Sequence, residues 1–264
     1  MSIVKDLFLI SLFLIMLIKY LRLHRDFMQQ KKYFIQTLSH DLRVSTIAQI
    51  RGLELLQKNN NLESFQQNIL SEVSDSCKFT LDMISMLLNT YKFENNEPVL
   101  NYEYANLSEI ISTSCNMMTK ICSEKDITFI KPLQNFFLEI DKNYILKAIN
   151  ILLSTAIFYS KRNSSIKISC KKIGNYLQIS IFYRGNLLTD EERKRMFLNN
   201  PKFSTVGHGI KMHLCKKIID FHNGKICINK QDDDLNSFIF CLPLKTKDNK
   251  RLKSVSNSHQ LCNV

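Results

Sequence analysis

The sequence predicts an α+β protein of three successive parts. These are an N-terminal membrane helix, a helical hairpin that dimerises into a four-helix bundle, and an α/β sandwich of helices on a mixed sheet. Three observations carry this reading. Leu7 to Ile18 is a run of 12 residues broken only by Ser11. Residues 23–58 contain no proline and a single glycine, Gly52, while apolar side chains recur every three or four residues. Beyond Pro98 helical periods alternate with short β-like runs.

The first part is residues 1–24. Its apolar run falls short of the roughly 20 residues that cross a bilayer. Snorkelling of Lys5 and Lys19 and the flanking Ile3, Val4, Tyr20, Leu21 and Leu23 extend it to a marginal span. An interfacial amphipathic helix is the competing reading. Lys19, Arg22, Arg25, Lys31 and Lys32 follow it and place the body in the cytoplasm, against a cytoplasmic membrane. No small-residue cleavage site follows, as a removed signal peptide requires.

Residues 25–93 form the hairpin. Phe34, Leu38, Leu42, Ile47, Ile50, Leu53 and Leu56 mark a first long helix, and Asn59-Asn60-Asn61 a turn. Phe65, Ile69, Val73, Cys77, Leu81, Ile84, Leu88 and Tyr91 mark a second. A lone hairpin cannot bury both stripes, so a homodimer is expected.

Glu94 to Pro98 is a polar break, and residues 98–244 form the sandwich. Leu107–Cys122 reads as a helix and Ile127–Ile130 and Phe136–Ile140 as strands. Tyr144–Tyr159 is a strongly apolar helix. Ser165–Ile173 and Tyr176–Tyr183 make a hairpin around Gly174-Asn175. Asp190–Phe197 and Gly209–His222 are helices, and Lys225–Asn229 and Ser237–Leu242 a closing hairpin. Residues 245–264 read as a disordered basic tail.

Composition bounds the function. Net charge is +12, which calls for an anionic partner such as a membrane surface or an acidic protein. The basic residues are dispersed and densest near the ends, which argues against nucleic acid as that partner. Eight cysteines occur without any C-x-x-C pair, as in a reducing compartment and unlike a metal site.

One stretch offers chemistry. In Phe34-Ile35-Gln36-Thr37-Leu38-Ser39-His40-Asp41-Leu42-Arg43, His40 sits mid-helix on the wet side with an acid directly after it. A neutral imidazole is a good nitrogen nucleophile, and the neighbouring carboxylate fixes its tautomer. By itself a His-Asp pair is more often plain surface.

The order of parts resembles a bacterial two-component sensor histidine kinase over roughly residues 25–244. Ser39-His40-Asp41-Leu42-Arg43 resembles the phosphoacceptor box. Asp141 and the helix to Ser160 resemble the element that carries the magnesium-binding asparagine. Gly185, then Asp190-Glu191-Glu192 and Met196-Phe197, resemble the first glycine box and the helix after it. Gly207-His208-Gly209-Ile210, running into Cys215 to Ile226, resembles the second. The resemblance implies His40 as phosphoacceptor, Asp41 as base or orienter, ATP and Mg²⁺ as cofactors, and a response-regulator receiver domain as partner.

The chain departs from the family where nucleotide would bind. Thr155 stands where the magnesium-binding asparagine is expected, and Asn150 lies one residue off the first asparagine's place, which Ile151 fills. Tyr183 replaces the aspartate that reads adenine. Leu187 and Lys211 replace two glycines of the boxes, leaving Gly185, Gly207 and Gly209. Two readings stand: an autokinase with an unusual nucleotide site, or a phosphotransfer or pseudokinase scaffold that binds no ATP and is phosphorylated by a partner. Val44 stands where a polar residue orients the water that dephosphorylates the regulator. The proline usual after it is absent, and with it the expected kink. His222 is read as a cation favoured at a helix C-terminus.

Overall fold

The computed structural model describes residues 2–58, 63–95, 98–131, 134–185, 189–197, 208–230 and 234–244. It divides into two units, Met1–Leu88 and Asn89–Val264. The Asn59–Asn61 turn, Leu187, Gly207 and the tail from residue 245 lie outside the described residues.

The first unit holds α1 (Ser2–Gln57) and most of α2 (Ser64–Glu94). Absence of proline lets α1 run unbroken through the apolar N-terminal stretch and past His40. Cys77 Sγ of α2 lies 3.7 Å from Gln49 Oε1 of α1, which fixes the two as an antiparallel pair. The line of α1 residues withdrawn from solvent is Ile35, Ser39, Arg43, Thr46, Ile50 and Leu53, spaced every three or four residues. The apolar stripe Phe34, Leu38, Leu42 lies about 100° around the helix from that line. Those side chains remain 64%, 43% and 46% exposed in one chain. On α2, Phe65, Ile69 and Val73 are exposed likewise.

Among the described residues no helix is long and apolar enough to cross a membrane. The expected transmembrane span of residues 1–24 is therefore not seen. Lys5 and Asp6 before Leu7, and Lys19 and Arg22 after Ile18, confine the apolar run to 12 residues.

The second unit is the sandwich. A small antiparallel sheet pairs β1 (Glu103–Asn106) with β3 (Phe137–Ile140). The main sheet is built from β2 (Thr128–Ile130), β4 (Ser165–Ile173), β5 (Tyr176–Arg184), β6 (Lys225–Lys230) and β7 (Leu235–Pro243). Its order is β2-β4-β5-β7-β6, and only the β2–β4 pairing is parallel. The helices are α3 (Leu107–Met117), α4 (Thr119–Ser123), α5 (Lys142–Tyr159), α6 (Asp190–Arg195) and α7 (His208–Phe221). One helix was expected over 107–122; two are present, because the chain tightens at Met118, whose N–H reaches the Cys115 carbonyl at 3.1 Å.

Local chemistry explains the elements that frame the site. Asp141 caps α5, accepting from Tyr144 N at 3.0 Å and from Asn101 N at 2.8 Å. Thr189 and Glu192 form a capping box on α6. Alternate β5 residues Leu177, Ile179, Ile181 and Tyr183 are 0–1% exposed, and α5 packs over that strand. Gly185 is needed for close approach. A Cβ there would lie 1.9 Å from the Tyr159 carbonyl oxygen, where the end of β5 bridges to Ser160 after α5.

Candidate functional site

His40 lies about 100° around α1 from buried Ser39, on the opposite side from the exposed Phe34–Leu38–Leu42 stripe. Its side chain is 72% exposed and that of Asp41 is 69% exposed. Nδ1 of His40 lies 3.2 Å from Asp41 Oδ1. A carboxylate only accepts, so the Nδ1 proton is donated to it and the lone pair resides on Nε2. The arrangement presents a solvent-facing nitrogen nucleophile whose tautomer is set by its neighbour. Val44, one turn further on, is 53% exposed and brings no polar atom. Thr46 stays buried and donates to the Leu42 carbonyl at 2.8 Å, a back-bond of the kind that bends helices.

In the sandwich the sequence-predicted residues fall in different places. Asn150 and Thr155 are five residues apart on α5, hence about 140° apart around it. Asn150 faces α3, where Ser114 Oγ donates to its Oδ1 and its Nδ2 lies 3.6 Å from Met117 Sδ. Thr155 faces α7. It is 1% exposed, donates to the Ile151 carbonyl at 2.7 Å, and lies 3.7 Å from Met212 Sδ. Tyr183 ends the buried row on β5. Its ring stacks on Phe238 at 5.3 Å, it is 0% exposed, and its hydroxyl has no hydrogen-bond partner among the described residues. Burial, with a smaller contribution from Tyr159, pushes its phenol well above the usual range.

Gly185 follows, its N–H donating to the Asp234 carbonyl at 2.9 Å. The Asp234 carboxylate takes Lys161 at 3.1 Å and Arg184 at 3.0 Å; chiefly the Lys161 hydrogen bond holds it below the usual range. Gly209 and half-buried Lys211 lie in the first turn of α7. Gly207 and Leu187 cannot be placed against them, being outside the described residues. Thr155, Met212 and Tyr183 are thus buried at 0–1% exposure on the α5, α7 and β5 elements, whereas Asn150 belongs to the α3 side.

The expectation for His222 is corrected. It is 1% exposed, donates Nδ1–H to the Ile218 carbonyl at 2.8 Å, and accepts at Nε2 from the Asp141 N–H at 3.1 Å. That is a neutral ring. Burial lowers its proton affinity, outweighing the Ile218 carbonyl and the Asp141 charge. It ties the cap of α5 to the end of α7. Sequence reasoning also missed Phe93, which is 0% exposed between the rings of Tyr144 and Phe221 at 5.1 Å each. An aromatic just before a polar break, in a turn otherwise assigned to the hairpin, was the available signal.

Residues 140–246 match the family described as histidine kinase-, DNA gyrase B-, and HSP90-like ATPase. The chain is 25% identical over 206 residues to the sensor protein KdpD of Clostridium acetobutylicum, covering 74% of this chain and 23% of that protein. It is 20% identical over 228 residues to the adaptive-response sensory kinase SasA of Prochlorococcus marinus, covering 83% and 60%. It is 23% identical over 226 residues to the sensor protein kinase WalK of Staphylococcus aureus, covering 81% and 54%. The chain thus spans between 23% and 60% of the length of these three relatives. Among solved structures, full-length ShkA in complex with AMPPNP superposes with a TM-score of 0.67 at 16% identity, covering 79% of this chain and 45% of that one. The histidine kinase AdeS of Acinetobacter baumannii superposes at 0.56 and 16%, covering 78% and 98%. At these identities the structural likeness speaks for the fold.

Proposed function

Because the chain belongs to the two-component sensor histidine kinase family, we propose that it carries a phosphoryl group on His40 and passes it to an aspartate of a response-regulator receiver domain. The observation that carries this is the exposed His40–Asp41 pair, with Nδ1 engaged at 3.2 Å and Nε2 left outward. In the transfer the Nε2 lone pair forms the N–P bond while the donor's P–O bond breaks and its electron pair leaves with oxygen. The ring becomes cationic, and Asp41 stabilises that charge. The exposed stripe of Phe34, Leu38 and Leu42 supports a homodimer of the hairpin, away from His40.

Ile10 and Phe13 to Ile18 are 42–69% exposed in the single chain, and Lys19, Arg22 and Arg25 follow them. That supports association of the N-terminal segment with an anionic membrane surface, which vesicle flotation tests.

A second feature of the reading concerns nucleotide. The burial of Tyr183 and the commitment of Thr155 Oγ1 to the Ile151 carbonyl favour a domain that binds ATP weakly. A phenol stands where the family's carboxylate reads adenine, and Thr155 turns its hydroxyl proton inward. Neither donor fits a magnesium-bound nucleotide held in the family's manner, so no step is routed through one. A hydrogen bond to a charged group contributes about 1.5–3 kcal/mol, so losing the aspartate alone weakens binding roughly ten- to a hundredfold.

The test is incubation of the chain with a phosphorylated receiver domain, and separately with ATP and Mg²⁺. Acid-labile phosphate should appear from the first donor and vanish in His40→Gln. Label that persists in that variant refutes the assignment. Calorimetry should find ATP binding no tighter than millimolar; low-micromolar binding would restore the autokinase reading.

A further inference from the structure

The last turn of α2 is built into the sandwich. Phe93 is wholly buried between Tyr144 of α5 and Phe221 of α7. Glu94, the final residue of α2, lies 3.3 Å from Nε2 of His213 on α7. The other ring nitrogen, Nδ1, lies 3.0 Å from the Phe197 carbonyl oxygen. That carbonyl closes the segment that begins at the Thr189 cap and runs through α6. The His213 side chain is only 13% exposed, so one half-enclosed ring joins three separate stretches of chain.

The chemistry of the ring explains why both contacts belong together. A backbone carbonyl and a carboxylate can each only accept. Nδ1–H serves Phe197, and Nε2 then faces the Glu94 charge without an aligned hydrogen bond. A ring with a proton on each nitrogen would turn a donor toward each acceptor. Asp220, Lys216 and Lys217 share α7 with it, and His213 and both lysines act electrostatically on Asp220.

Phe197 lies two residues beyond the end of α6, in the segment that the Thr189–Glu192 capping box opens. We infer that His213 is a positioning residue, coupling the end of α2 through Glu94 to the backbone at Phe197 and so to the placement of α6. A shift at the end of α2 would then be felt at the α6 segment through one side chain. The coupling does not depend on whether ATP binds.

Hydrogen exchange of the full chain tests this, because α6 offers protected reporters: Arg193 N–H bonded to the Thr189 carbonyl at 3.0 Å and Met196 N–H to the Glu192 carbonyl at 2.8 Å. Glu94→Gln, at a position 39% exposed and tolerant of the change, should speed exchange of residues 189–197 roughly three- to tenfold. His213→Gln should do the same, and the double variant should exceed the larger single effect by little. Glu94→Asp should restore part of the protection. Lys92→Gln, about 200° away around α2, should leave it unchanged. Additive effects of Glu94→Gln and His213→Gln, or unchanged exchange in Glu94→Gln, would overturn the coupling.

Discussion

Acidification should weaken the sandwich through His222. The ring is 1% exposed, with Nδ1–H held by the Ile218 carbonyl at 2.8 Å and Nε2 receiving the Asp141 N–H at 3.1 Å. A proton on Nε2 would displace that N–H donor, and burial disfavours the charged ring, so the folded proton affinity is lowered. The sign follows directly. Well above about pH 6.5 the imidazole is neutral in folded and unfolded chains alike, and its full contribution is present. As pH falls below that value, the unfolded chain takes up a proton that the folded chain refuses. Stability is then lost until the lowered folded value is reached. Between about pH 7 and about pH 5.5 this amounts to at most about 1 kcal/mol, the limit for a ring that takes up no proton in that window, or at most about 3 °C in melting temperature for a domain of this size. Thermal unfolding across that range, in the chain and in His222→Gln, isolates the residue as the difference between the two profiles. An acid slope of equal size in the variant would refute the assignment of a neutral, accepting His222.

Three further outcomes follow from the geometry. Tyr183→Phe should stabilise the chain by about 1 kcal/mol, since it removes a buried hydroxyl without a partner among the described residues while keeping the stack on Phe238; a lower urea midpoint would contradict this. Gly185→Ala should cost about 3 kcal/mol or more, because the added methyl meets backbone at Tyr159 rather than a movable side chain, and denaturant titration reads the loss. Val44→Thr should raise the rate at which a phosphorylated receiver loses phosphate in the presence of the chain. It places a hydroxyl one turn from His40 in open solvent, and water-orienting groups of that kind contribute roughly 10²-fold. No change on that substitution would show that Val44 is not the limiting defect.

Much of the fold was legible because its signals are local. The Gly174-Asn175 pair between two β-like runs marked the hairpin from Ser165 to Arg184, and Gly174 takes φ 56° as such a turn requires. The His40–Asp41 pair was legible because helical phase alone sets its exposure. Three things were not. The stripe Phe34–Leu38–Leu42 was seen, but not that Ser39 and Thr46 take the inner line, since apolarity does not say which of two adjacent faces meets the hairpin partner. Asn150 reads as a site residue because it lies one residue off the place of the family's first asparagine, yet on the helix that phase turns it toward Ser114. His222 read as a helix C-terminal cation because its two partners, Ile218 and Asp141, combine one local contact with one 81 residues away in the chain. No sequence window contains the latter.

The central claim is that Asp41 holds Nδ1 of His40 and leaves Nε2 to carry phosphate. The most direct measurement is the NMR signature of the phosphorylated chain, prepared with a phosphorylated receiver domain and kept at alkaline pH, in which phosphorus–nitrogen couplings identify the bonded ring nitrogen. The geometry at 3.2 Å predicts a single phosphohistidine at His40, bonded through Nε2, and its loss in His40→Gln. Phosphate on Nδ1 of His40, or on any other residue in the unsubstituted chain, would contradict it.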